Sequence, residues 1–72
     1  EWIDLDHGSP LAGRSIGEGE LRKRTGASVV AVIRGTTSIP APGPEEVLQV
    51  GDVVVVVGTD EALDALRTLL RG

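Results

Sequence analysis

Five consecutive valines, Val53–Val57, constrain this chain more than any other stretch. β-Branched side chains fit a pleated, half-buried surface and lose rotamer freedom in a helix, so the run predicts a strand. Gly51-Asp52 turns into it and Gly58 ends it. A strand that is apolar at every position needs cover on both faces, or on one face with a dimer contact on the other. A second stretch, Ala27–Ile33, has the same character. It is bracketed by Gly26 and Gly35 and is too short for an ordinary helix, so it also reads as a buried strand. It closes on Arg34, whose guanidinium keeps its proton at any working pH. An arginine at the end of an apolar wall suits a ligand with flat apolar parts and an anionic part. The plainer reading is a core strand with a surface arginine, and composition alone favours it.

The remaining segments fall into place around these two. Glu1–His7 alternates, with Ile3 and Leu5 on one face and Trp2, Asp4 and Asp6 on the other, which predicts a half-buried strand. Gly8-Ser9-Pro10 stops it. Ser15-Ile16-Gly17-Glu18 has capping-box spacing and starts a helix expected to run to a C-cap at Gly26, with Ile16 and Leu21 inward. Gly17 and Gly19 weaken that helix, each by about 1 kcal/mol relative to Ala. Arg22-Lys23-Arg24 at its end complements the helix dipole, a better account of the basic cluster than a ligand site. Gly35–Ile39 turns and pairs back as a short strand. Pro40, Pro42 and Pro44 keep the next segment out of any sheet interior. That stiff loop serves equally well as a connector or as the rim of a site. Thr59-Asp60 starts a last helix with Ala62, Leu63, Leu66, Leu69 and Leu70 in one stripe, and Gly72 suits its C-cap. The order predicts an α+β fold: a small mixed β-sheet with two helices on one face. The uncovered face carries valines, and an exposed apolar patch of this kind predicts a homodimer.

At 72 residues the chain is one domain, 1–72, of marginal stability alone. It has no cysteine, so disulfides are excluded, and His7 is its one histidine, too few for a structural zinc site. A partner subunit or a longer parent chain is therefore expected, and the start at Glu1 rather than Met fits a fragment. No apolar run approaches the length of a membrane span. Net charge is −4 and Trp2 is the one aromatic residue, so nucleic acid is not an expected partner. No catalytic set presents itself. Ser9, Ser15, Ser28 and Ser38 lack the Gly-x-Ser-x-Gly context, His7 has only Asp4 and Asp6 nearby, and Gly13, Gly17 and Gly19 do not make a dinucleotide fingerprint. An enzyme is not expected. Asp4, Asp6, Glu45, Glu46 and Asp52 are candidate ligands for a divalent ion, with solvated surface as the plainer account.

Taken in order, four motifs resemble one family. They are Gly8-Ser9-Pro10-Leu11-Ala12-Gly13-Arg14-Ser15-Ile16, Leu21 to Arg34, the proline loop Pro40–Pro44, and Val50-Gly51-Asp52 with the valine strand and Gly58. Together they look like the C-terminal (TrkA-C) domain of the RCK family, found in regulators of potassium channels and cation/proton antiporters. Gly19 departs from the family's usual aliphatic residue, which bears on the regularity of the first helix. The resemblance implies a cytoplasmic regulatory domain that dimerises, associates with a membrane transporter or antiporter subunit and binds a small ligand, cyclic di-AMP in several members. Carried over by position, the ligand contacts are Val29, Val30, Ile33, Arg34, Thr36 and Pro40. The alternative is a structural dimerisation module that binds nothing small.

Overall fold

The structure, a computed structural model, describes residues 1–71. The valine run is a strand, and it lies inside the sheet. The elements are β1 (Trp2–Asp4), α1 (Ile16–Gly19), α2 (Leu21–Thr25), β2 (Ser28–Arg34), β3 (Thr37–Pro40), β4 (Val53–Val57) and α3 (Asp60–Arg71). The four strands form one sheet in the order β1-β4-β2-β3. Every neighbouring pair is antiparallel, which corrects the expected mixed sheet. The reason lies in the connections. β2 and β3 are joined by a tight turn at Gly35, whose φ of 61° suits glycine. β4 pairs with the opposite edge of β2 from β3 and runs parallel to β3, so it is antiparallel to β2, and β1 adds to it antiparallel in turn.

Register sorts the side chains. Ile3, Val54, Val32 and Ile39 lie across from one another on one face, and Val29 faces Val56 further along. Val32, Val54 and Val56 are fully buried against Leu21, Ala62, Leu66 and Leu70 from the helices. The helices therefore cover one face, as expected. Trp2, Val55, Ala31 and Pro40 form one row of the other face, and Asp4, Val53, Ile33 and Ser38 the next. No element of the described chain is layered on this side: Trp2 is 67% exposed and Val57 52%.

The first helix departs from expectation. Its capping box forms in full: Glu18 N–H donates to Ser15 Oγ at 3.1 Å, and Ser15 N–H donates to Glu18 Oε1 at 2.9 Å. The helix then breaks at Glu20, which adopts a left-handed conformation (φ 48°, ψ 43°) and separates α1 from α2. Gly19 sits buried at the break, where a Cβ would come within 3.2–3.3 Å of Leu11 and Leu21. A side chain at this position would therefore need Leu11 and Leu21 to give way by a few tenths of an ångström. α2 ends at Gly26 (φ 85°), whose N–H donates to Arg22 C=O, as the C-cap reading requires. α3 carries the predicted stripe, with Ala62, Leu66 and Leu70 buried. The predicted C-cap at Gly72 lies outside the described residues.

The segment after β3 is tied down by backbone hydrogen bonds. Gly17 N–H reaches Pro44 C=O, Ile16 N–H reaches Glu46 C=O, and residues 13–14 exchange bonds with Leu48. Residues 44–48 thus lie as a strap along residues 13–17.

Candidate functional site

β2 leaves the core at Arg34, and its alternation puts Arg34 on the same side as buried Val32. Asp52 enters β4 on the same side as buried Val54 and Val56. Two charged residues on inward-facing positions at one end of adjacent strands must meet, and they do. Arg34 Nε donates to Asp52 Oδ1 at 2.9 Å and Nη2 to Oδ2 at 2.8 Å, a bidentate pair. Asp52 is 1% exposed, and its Oδ2 also accepts the Gln49 N–H at 2.9 Å. Its carboxyl is held below the usual range, first by the Arg34 hydrogen bond, against the opposing effect of burial, with the Gln49 N–H adding to the lowering. The Arg34 guanidinium is pushed up by the same bond, with burial opposing and Glu46 adding.

The rest of the guanidinium grips the strap. Nη2 donates to Val47 C=O at 3.0 Å, and Nη1 approaches Glu46 Oε2 at 3.4 Å. The turn 49–52 is closed by Asp52 N–H on Gln49 C=O, and bonds between Leu5 and residues 51–52 extend it to the end of β1. Arg34 therefore ties β2, the strap and the entry to β4 at one point.

The six residues expected to contact a ligand do not share one surface. Ile33 and Pro40 lie on the open face of the sheet. Val30 falls at a register shift between Val29 and Ala31, a β-bulge, and is exposed. Its C=O accepts the Ala41 N–H at 2.9 Å, which holds the proline loop beside it. Ala41 has φ 44°, a conformation that L side chains rarely adopt. Thr36 is exposed in the β2–β3 turn. Val29 points into the core, and Arg34 turns to the strap side. Val30 and Thr36 are thus exposed at opposite ends of the hairpin, and Ile33 and Pro40 lie on its open face. Val29 packs against the core.

Sequence reasoning missed the Arg34 partners. From the sequence Asp52 reads as part of a turn, and Glu46 as a solvated acid or a divalent-ion ligand. The available signal was parity: Asp52 is in phase with Val54 and Val56, and Arg34 with Val32. Among the described residues no three His, Cys, Asp or Glu side chains come together to hold a metal, so the candidate divalent site does not assemble. A groove of about 450 Å³ lies elsewhere, between α2 and α3, lined by Arg24, Thr25, Asp64, Ala65, Thr68 and Leu69. None of the expected contact residues lines it. No helix among the described residues is long and apolar enough to cross a membrane.

Comparison with known proteins gives a consistent answer. Residues 1–71 match a family model described as the TrkA-C domain. The ammonium/H⁺ antiporter subunit AmhM of Alkalihalophilus pseudofirmus is 35% identical over 69 residues, which is 96% of this chain and 41% of the relative. Potassium channel protein 1 of Methanocaldococcus jannaschii is 36% identical over 52 residues, 72% of this chain and 16% of the relative. The chain thus spans less than half the length of either relative. Among solved structures, the RCK_C domain dimer of S. agalactiae BusR in complex with c-di-AMP matches with a TM-score of 0.91 at 31% identity, covering 97% of this chain and 92% of that one. The RCK C domain of the potassium transport protein KtrA in complex with the same dinucleotide matches with a TM-score of 0.82 at 28% identity, covering 94% of this chain and 80% of that one. BusR has also been solved with its busAB-promotor DNA, in a chain of which this one covers 34%.

Proposed function

The chain belongs to the TrkA-C domain family, and from that premise we propose that it is the ligand-sensing regulatory domain of a potassium or cation/proton transport system, binding cyclic di-AMP between two copies of itself. One observation carries the reading: over almost its whole length the chain matches a domain solved as a dimer in complex with c-di-AMP. The open sheet face supports it. Two copies that cover Val53, Val55, Val57 and Ile33 bury apolar surface that water now meets, and a two-fold symmetric ligand suits a two-fold axis. Exposed Val30 and Pro40 supply apolar contacts for the adenines, and Arg34 the cation for a phosphate.

The domain acts without catalysis, from the cytoplasmic side, on a membrane transporter or antiporter subunit, and its parent chain is longer than residues 1–72. Net charge of −4 and a single aromatic residue argue against nucleic acid as a partner of this piece. The DNA-bound relative is about three times as long, and the likeness covers only its matching third.

A second reading, a dimerisation module without a ligand, is favoured by one feature: the fork of Arg34 is already filled by Asp52. Calorimetric titration with cyclic di-AMP, with cyclic di-GMP and ATP as controls, separates the two. Selective binding at one ligand per dimer, lost in Ile33→Glu together with the dimer in analytical ultracentrifugation, supports the sensor. No heat with any nucleotide, in a chain that remains dimeric, supports the module. Arg34→Ala is a poor probe here because it also unties Asp52.

A further inference from the structure

A guanidinium has five N–H donors on two usable edges. In Arg34 the Nε/Nη2 edge is spent on Asp52, and the remaining Nη2 hydrogen on Val47 C=O. The Nη1 edge faces Glu46 alone, at 3.4 Å, longer than an ordinary charge-assisted bond. Glu46 is anchored by its backbone: its C=O accepts the Ile16 N–H at 2.9 Å and its N–H donates to Gly43 C=O at 3.1 Å. Those bonds do not involve its carboxylate, so losing the contact with Arg34 leaves the backbone of the strap bonded. The three side chains sum to one negative charge, so an approaching anion is repelled while Glu46 faces Arg34.

We propose that Glu46 is a specificity-determining residue: its carboxylate holds the Nη1 edge of Arg34 as a stand-in anion, and the phosphate of a nucleotide ligand binds there by displacing it. This deepens the ligand-sensing reading and rests on it. At 3.4 Å the half-buried pair is long and weak, and a phosphate oxygen at normal distance makes the stronger bond. The displacement demands a ligand anion that reaches Nη1 while Asp52 stays bound. That requirement disfavours neutral ligands and leaves the β4 entry intact.

The test titrates wild type, Glu46→Gln and Glu45→Gln with cyclic di-AMP, and follows the thermal unfolding of all three in rising inorganic phosphate. Glu45 carries the same charge one residue earlier and makes no ion pair among the described residues. Glu46→Gln is expected to bind cyclic di-AMP about fivefold tighter, the factor that corresponds to one weak ion pair. Glu45→Gln is expected to stay within about twofold of wild type, because a solvated charge is screened. Equal gains in both variants, or no gain in Glu46→Gln, overturn the proposal while the sensor reading stands. If wild type takes up no cyclic di-AMP, the ligand reading falls and the phosphate series decides. Phosphate stabilisation in Glu46→Gln beyond that of wild type upholds the stand-in role, and identical curves overturn it. Glu46→Ala keeps the backbone bonds and serves as the second variant should the glutamine misfold.

Discussion

Arg34→Ala is expected to cost this domain a large part of its stability, independently of any ligand. The substitution leaves the Asp52 carboxylate buried at 1% exposure with only the Gln49 N–H for company. Removing one partner of a buried ion pair costs about 3–5 kcal/mol. The Arg34 side chain is 31% exposed, so water follows it into the gap, and the loss is set at the lower end, about 3 kcal/mol. A domain of 72 residues is stable by roughly 4–11 kcal/mol in all, so this one contact is a sizeable share. Asp52→Asn tests the other side: the amide keeps the shape, but its NH₂ group faces a donor where Oδ2 accepted from Arg34 and Gln49. A loss of about 2–3 kcal/mol follows from hydrogen bonds to charged groups. Urea unfolding followed by far-UV circular dichroism on Arg34→Ala, Asp52→Asn and the double variant closes a thermodynamic cycle, with an expected coupling of about 2 kcal/mol. Single losses under about 1 kcal/mol with coupling near zero would place the pair among ordinary surface ion pairs and refute the reasoning.

The same pair sets the acid limb of stability. The folded Asp52 carboxyl lies below its unfolded value of about 3.9, so its contribution is complete above that pH and lost as pH falls through the lower folded value. Stability of wild type should drop more steeply below about pH 4 than that of Asp52→Asn, which chemical unfolding across pH 2–6 would show. Gly26→Ala, at φ 85°, should cost about 1–2 kcal/mol for backbone strain, measured as a fall in urea midpoint at unchanged slope.

What the amino-acid order made readable was local. The capping box at Ser15, the C-cap at Gly26, the stripe of α3 and the valine strand each follow from spacing within a few residues. What it hid was non-local or set by packing. The break at Glu20 falls on a residue that is neither glycine nor proline, beside buried Gly19, and no spacing pattern marks it. The central place of β4 depends on which edges pair, and periodicity does not encode that. The Arg34–Asp52 bond spans 18 residues and was legible only as parity against the buried valines. The expected contact residues were carried by family likeness, and the bulge at Val30 then redistributed them between two sides of the sheet.

β4 sits in the middle of the sheet but is the last strand to be synthesised. β1 pairs with it at Trp2 and Val55, near opposite ends of the chain, whereas β2 and β3 close locally as a hairpin. On the ribosome the hairpin therefore waits with the inner edge of β2 unpaired until Val53–Val57 emerges. An apolar strand with a free edge is a template for any neighbouring strand, including the same hairpin of another nascent copy. A chain truncated before Val53 keeps that open edge for good, so mistranslated or proteolysed forms of this domain are the ones expected to aggregate, while the complete chain seals the edge with its own valines.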